Sequence, residues 1–336
     1  MQSLCTSGLQ RWIAVVLLIC WALVPKGWAA QKIDYGRPAA LQVLIVARHD
    51  RRLAPCRTRF AVSKTALARN GNRPYNPRDA THFIRSLPMS RAIDINATDG
   101  SIDAHIFTPD DANGALPAVV LFTDIGGLRP CYHDKAQTIA DDGYAVLMPN
   151  IYYRDAVGSV VPEGKSFRDE DVRPTLFEYA GRLTPEAQTR DFAALVAAID
   201  AEPEFDGSRI GVVGYCMTGG FALRMAAAHP ERVAAAAGFH SARLAVEGDE
   251  NSPLGVVDRI RGRVYLGHAD GDELMPPEQI GRLDAAMAAA GVDFTTELYK
   301  GAGHGYTAFD APVYNEAADA RHYKRLSTLF EETLGG

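Results

Sequence analysis

The chain has 336 residues, 47% hydrophobic and 9% aromatic, ordinary globular composition with enough apolar material for a sizeable core. Its formal net charge of -6 is unevenly spread: residues 31–88 carry 12 Lys and Arg against 3 acids, whereas residues 89–336 carry 21 basic and 38 acidic side chains, a net of -17. An anionic body of that size repels a phosphate backbone, which argues against nucleic acid as a partner and points to small molecules.

In chain order, the first feature is "WIAVVLLICWALV", residues 12–24. It is too short to span a bilayer comfortably but has the size of a signal-peptide core, with small residues that would allow cleavage after Ala29. We therefore expect residues 1–30 to be a signal-like segment and residues 31–88, Arg-rich and without a 2.0 or 3.6 apolar period, to be a disordered linker. The charge sign flips where Met89 precedes an orderly pattern, which makes Met89 an alternative start. A Met89 start, the favoured reading, places the protein in the cytoplasm; a working leader would send it to the periplasm or outside, and stable membrane insertion of the main domain is not expected. The five cysteines, Cys5, Cys20, Cys56, Cys131 and Cys216, form no C-x-x-C pair and indicate neither a disulfide framework nor a zinc knuckle.

Residues 89–336 read as one domain. Two alternating runs around Asp99-Gly100 predict a hairpin. The continuous apolar runs at 117–124, 144–150, 209–215, 233–240 and 262–270 predict strands covered on both faces, hence a parallel sheet. Helical patterns fall at 130–142, 185–201, 217–228, 276–290 and about 317–334, with a further strand at 293–299. The alternation predicts a doubly wound α/β domain. Residues 151–183 are a long charged excursion, expected to be a lid or binding loop.

Within "RIGVVGYCMTGG", residues 209–220, a lone cysteine stands where a buried strand meets a helix. That junction is the sharp turn on which an α/β-hydrolase exposes its nucleophile, flanked by small residues because strand and helix nearly touch. Gly214 and Gly219-Gly220 meet the requirement, while Thr218 takes the place of the usual glycine at plus two. Dinucleotide and phosphate-loop fingerprints are absent. Downstream, Asp270 and Asp272 follow the strand at 262–270, and His304 lies between Gly303 and Gly305. Nucleophile, acid and histidine in that order, separated by single α/β units, bring three loops to one edge of the sheet. The predicted chemistry is nucleophilic acyl transfer: His304 takes the thiol proton, Cys216 attacks a carbonyl, and Asp272 holds the imidazole tautomer. The expected oxyanion donors are the amides of Met217 and Ile125. Tyr215 is assigned to the pocket wall, His240 either to that wall or to the cap of a turn, and His229 and His322 to the surface. A metal at His268, Asp270 and Asp272 is not expected, and no cofactor is implied. If His304 is the base, kcat/KM should rise through a pKa near neutrality.

The motifs "GYCMTGG", "GDELMPP" and "GAGHGY" resemble the dienelactone hydrolases (carboxymethylenebutenolidases) over residues 90–334. The resemblance implies an α/β-hydrolase fold and hydrolysis of small esters or lactones, and it favours Asp272 over Asp270 as the triad acid. It also implies that Asp124, in "FTDIGGL", stands where a carboxylate holds the resting thiol, and that Arg154, in "NIYYRD", binds a substrate carboxylate. A second substrate-binding arginine of the family falls on Ala308, so the reaction class transfers more securely than the named substrate. An acyltransferase using the same site and a non-catalytic ligand-binding module are the alternatives. The sequence does not define an oligomeric state.

Overall fold

A computed structural model describes residues 90–335 in full and, before them, only the backbone of three short strands. Strands β1 (Trp28–Lys32), β2 (Leu44–Arg48) and β3 (Phe60–Ala61) pair antiparallel in a unit spanning Met1–Ser86. The rest of the expected leader and linker lies outside the described residues.

The second unit, Leu87–Gly336, is built on an eight-stranded sheet. Its strands are β4 (Arg91–Ala97), β5 (Gly100–Phe107), β6 (Leu116–Phe122), β7 (Ala145–Pro149), β8 (Phe205–Tyr215), β9 (Val233–Phe239), β10 (Arg263–Ala269) and β11 (Phe294–Tyr299). The order is β11-β10-β9-β8-β6-β7-β5-β4, parallel throughout except where β5 runs antiparallel between β4 and β7. Gly100, with φ of +140°, makes the tight β4–β5 turn that the Asp99-Gly100 pair predicts.

The continuous apolar runs do what a parallel sheet requires. Alternate residues of one strand feed two cores, so that Ala118, Val120 and Phe122 of β6 face one layer while Val119 and Leu121 face the other. The first layer is closed by α3 (Pro185–Ala201), α4 (Gly219–Ala228) and α5 (Pro277–Ala290), through residues such as Phe192, Leu223 and Leu283. The second is closed by α1 (Pro130–Asp141) and α6 (Glu316–Leu334), through Tyr132, Ala136, Leu326 and Phe330. Thr184 caps α3 by accepting a hydrogen bond from the Ala187 amide, and Gly291 ends α5 in the left-handed conformation.

Two elements depart from the sequence reading. The excursion at 151–183 contains a helix, α2 (Arg173–Gly181), that no apolar stripe announces, since Leu176 is its one buried side chain. The expected helix at 217–228 starts as a 3-10 turn, Cys216–Thr218, and becomes α-helical only at Gly219. No helix among the described residues is long and apolar enough to cross a membrane.

Candidate active site

The loops that matter leave the carboxyl ends of β6, β8, β9, β10 and β11, side by side in the sheet. At the centre, β8 ends on Tyr215 in extended conformation and Cys216 turns to φ +58°, one of three left-handed non-glycine residues among those described. Such a conformation costs about 1–2 kcal/mol and persists only where the surroundings impose it. Close packing does so here. A Cβ on Gly214 would stand 2.0 Å from the Thr218 carbonyl oxygen, and one on Gly219 would stand 2.0 Å from Ser241 Oγ. Thr218 is no defect in the motif. Its hydroxyl accepts from the Tyr215 amide at 2.8 Å and directs its proton between the carbonyls of Tyr215, at 2.9 Å, and Phe122, at 3.2 Å, tying the turn to the ends of β8 and β6. From the β9 loop, the Ala242 amide donates to the Cys216 carbonyl at 3.0 Å.

The sulfur meets the imidazole. His304 Nε2 lies 3.1 Å from Cys216 Sγ, and His304 Nδ1 lies 2.7 Å from Asp272 Oδ2. Asp272 is buried, and its other oxygen accepts from the Leu274 amide at 2.9 Å. Asp270 instead accepts from the Gly301 amide at 2.9 Å, so it braces the β11 loop and leaves the histidine to Asp272. Burial disfavours the imidazolium of His304, but the hydrogen bonds and charges of Asp272 and Cys216 outweigh it and lift the pKa to about 10. The histidine is thus built to hold a proton beside the sulfur.

The other residues singled out in the sequence occupy different stations. Met217, half-buried, follows Cys216 in the 3-10 turn. Ile125 is half-buried in the loop after β6, where its carbonyl accepts from the Tyr152 hydroxyl at 2.9 Å. Asp124, expected beside the thiol, is taken by Arg129, which grips both of its oxygens, while the Gly126 amide donates to Oδ1 at 2.8 Å. Burial would raise the Asp124 pKa, yet the guanidinium holds it below the usual carboxylate range.

Arg154 is likewise engaged: Nε and Nη2 donate to Asp99 Oδ2 at 3.0 and 2.7 Å, and Nη1 and Nη2 reach the two oxygens of Asp191 at 2.9 and 2.7 Å. A substrate carboxylate would have to displace those partners.

Tyr215, expected on the pocket wall, and His240, expected there or at the cap of a turn, are fully buried. The Tyr215 hydroxyl pairs with His322 Nε2 at 2.9 Å, and His240 Nε2 pairs with Thr307 Oγ1 at 2.9 Å, with its ring edge-on to His304 at 5.5 Å between centroids. Burial depresses the His240 pKa far below the ordinary histidine value, so a neutral ring backs that of His304. His322 is not a surface residue: it is sealed in α6, with its pKa pushed down to about 4 by burial despite Asp319 nearby. His229 is half-buried. His268 is buried, with its pKa also near 4, and is therefore neutral.

Sequence reasoning missed three supports. Tyr152 braces the Ile125 peptide, Arg129 ties up Asp124, and Lys135, 1% exposed, links α1 to the Thr307 carbonyl at 2.5 Å and to Asp319 at 3.2 Å. The partners of Tyr152 and Lys135 lie on other elements, and Arg129, though five residues from Asp124, carries no motif that marks the pairing.

Known proteins agree with this architecture. The family model for the dienelactone hydrolases matches residues 102–334. A carboxymethylenebutenolidase of Rhodococcus opacus is 29% identical over 255 residues, covering 74% of this chain and 93% of that protein. Among solved structures, a dienelactone hydrolase-like promiscuous phosphotriesterase from metagenomic libraries superposes with a TM-score of 0.59 at 24% identity, covering 73% of this chain and 99% of the other. An acylaminoacyl peptidase of Pyrococcus horikoshii superposes with a TM-score of 0.55 at 16% identity, over 91% of this chain and 50% of that one. The fold is that of the α/β-hydrolases, and with its matched segment running from β5 to the end of α6, the chain belongs to the dienelactone hydrolase family.

Proposed function

We propose that the protein hydrolyses small esters or lactones through a thioacyl-enzyme on Cys216, with His304 as base and then acid and Asp272 as its orienting carboxylate. The observation that carries this reading is the unbroken line from Cys216 Sγ to His304 Nε2, at 3.1 Å, and from His304 Nδ1 to Asp272 Oδ2, at 2.7 Å.

The thiol proton moves to His304 Nε2, and the thiolate adds to the substrate carbonyl carbon. The carbonyl electron pair becomes an oxyanion, for which the amides of Met217 and Ile125 are the proposed donors; each such donor contributes about 10²- to 10³-fold in rate. The intermediate collapses with cleavage of the carbon–oxygen bond, and the leaving alkoxide takes the proton from His304. In a lactone that alcohol stays tethered to the acyl group. Water, deprotonated by His304, then attacks the thioester and returns the thiol and the free acid. Family membership supports ester or lactone bonds as the target. Because Arg154 is engaged by both Asp99 and Asp191, and position 308 is alanine, we propose no two-arginine carboxylate clamp.

Turnover of aryl esters and lactones by the wild-type chain, by Cys216→Ala and by Cys216→Ser tests the reading. Loss of at least about 10³-fold in kcat is expected for Cys216→Ala. Undiminished turnover by that variant would mean the thiol is only a packing residue.

A further inference from the structure

Phe122 of β6 is paired with Gly214 of β8, so Asp124 and Cys216, each two residues further on, leave adjacent parallel strands at the same level. A free carboxylate beside a thiol disfavours the thiolate and would work against the nucleophile. In this chain that charge is held by one side chain. Arg129, in the residue that caps α1, grips both oxygens of Asp124, and its Nε reaches across to Asp310 Oδ2 at 2.7 Å. Asp310 lies on the loop that carries His304. Arg129 and Asp124 are each only about one-seventh exposed, at 15% and 13%, and the guanidinium lies over the Tyr132 ring at 4.7 Å. A planar fork with donors on two edges is suited to bridge two carboxylates in this way.

We propose that Arg129 is a positioning residue that neutralises Asp124 and straps the loop after β6, which carries the proposed oxyanion donor Ile125, to the histidine loop. This inference rests on the thiol-nucleophile reading. The strap leaves the sulfur facing His304, with the Asp124 charge opposed by the guanidinium and the Ile125 carbonyl held by the Tyr152 hydroxyl. The thiol is then set for attack before substrate arrives.

The test uses the full chain with Arg129→Lys, Arg129→Gln, Asp124→Asn and the double variant Arg129→Gln/Asp124→Asn. Two quantities are read: kcat and KM on an aryl ester, and the rate of iodoacetamide alkylation at neutral pH, followed on the Cys216 peptide by mass spectrometry so that Cys131 and the other thiols do not contribute. Releasing Asp124 in Arg129→Gln should slow alkylation about tenfold, the effect of one unit in thiol pKa, and lower kcat at least as much with KM within about threefold. Adding Asp124→Asn should bring alkylation back to within about threefold of wild type, while kcat recovers only in part because the tie to Asp310 is still cut. Arg129→Lys, which keeps the charge without the fork, should fall between wild type and Arg129→Gln.

Unchanged alkylation in Arg129→Gln would overturn the proposal, as would a double variant that alkylates no faster than Arg129→Gln while both keep native circular dichroism. Alkylation reports on the thiol whether or not esters are turned over. A failure of the nucleophile reading would show separately, as ester turnover surviving Cys216→Ala.

Discussion

At the scale of single residues, the hydrogen-bonded line of Cys216, His304 and Asp272 was legible because its motifs are local. A cysteine at a strand-to-helix turn, an aspartate at a strand end and a glycine-flanked histidine each announce themselves within a few residues. The pairings that tune the site were not, because tertiary neighbours decide them: Arg129 finds Asp310 181 positions away, and Arg154 finds Asp99 and Asp191 on other elements. His322 was legible in principle. Ala318, His322, Leu326, Leu329, Phe330 and Thr333 recur at helical spacing and are all buried, and a histidine on that stripe belongs to the core.

The first residue-scale prediction concerns pH. His304 has its pKa raised to about 10, so the imidazolium that protonates the leaving alkoxide is present below that value and lost above it. The sequence reading has kcat/KM rising through a pKa near neutrality; with His304 lifted to about 10, activity should instead persist to about pH 10 and fall along an alkaline limb above it. Asp272→Asn removes the main group opposing the burial penalty, so kcat/KM should drop about 10²- to 10⁴-fold and the alkaline limb should shift to lower pH. A profile of the variant that falls uniformly, with no shift of that limb, would contradict this assignment. The second prediction concerns Thr218. Replacement by Val deletes the hydroxyl that meets the Tyr215 amide and the Phe122 and Tyr215 carbonyls, all buried, and should cost about 1–3 kcal/mol of stability in urea unfolding.

At the scale of elements, among the described residues from 90 onward, the strands and five of the six helices fall close to where apolar periodicity puts them, because a sheet covered on both faces forces continuous apolar runs. Helix α2 escaped because nearly all of it faces solvent, and Phe177 within it is 56% exposed. The junction of β8 with α4 is the most constrained piece. Gly214→Ala sets a methyl 2.0 Å from a backbone oxygen that cannot move without unwinding the turn, and should destabilise by about 3 kcal/mol, with loss of ester turnover at temperatures where the fold persists. On the opposite face, Lys135 on α1 and Asp319 on α6 form a buried pair behind the Thr307 segment. Lys135→Met leaves that carboxylate without its cation and should cost about 3–5 kcal/mol, whereas adding Asp319→Asn should recover part of the loss; denaturant midpoints of the two variants decide it.

At the scale of the whole molecule, the sheet order explains why residues so far apart in sequence converge. Cys216, the proposed nucleophile, leaves β8 at the middle of the sheet, flanked by the β6 loop on one side and the β9, β10 and β11 loops on the other. The unit from Leu87 onward contains the whole eight-stranded sheet, both cores and the proposed triad. A fragment of residues 87–336 should accordingly unfold in one cooperative transition and keep the ester turnover of the full chain; a fragment that fails to fold would show that this core is insufficient alone.

The central claim is that an acyl group passes through the sulfur of Cys216. Intact-mass and peptide mass spectrometry of the enzyme, acid-quenched within the first turnover of a slowly deacylating aryl ester, tests it most directly. The account predicts one added acyl mass, located on Cys216 and removed by hydroxylamine. An acyl group on any other side chain, or full turnover with Cys216 never modified, would contradict it.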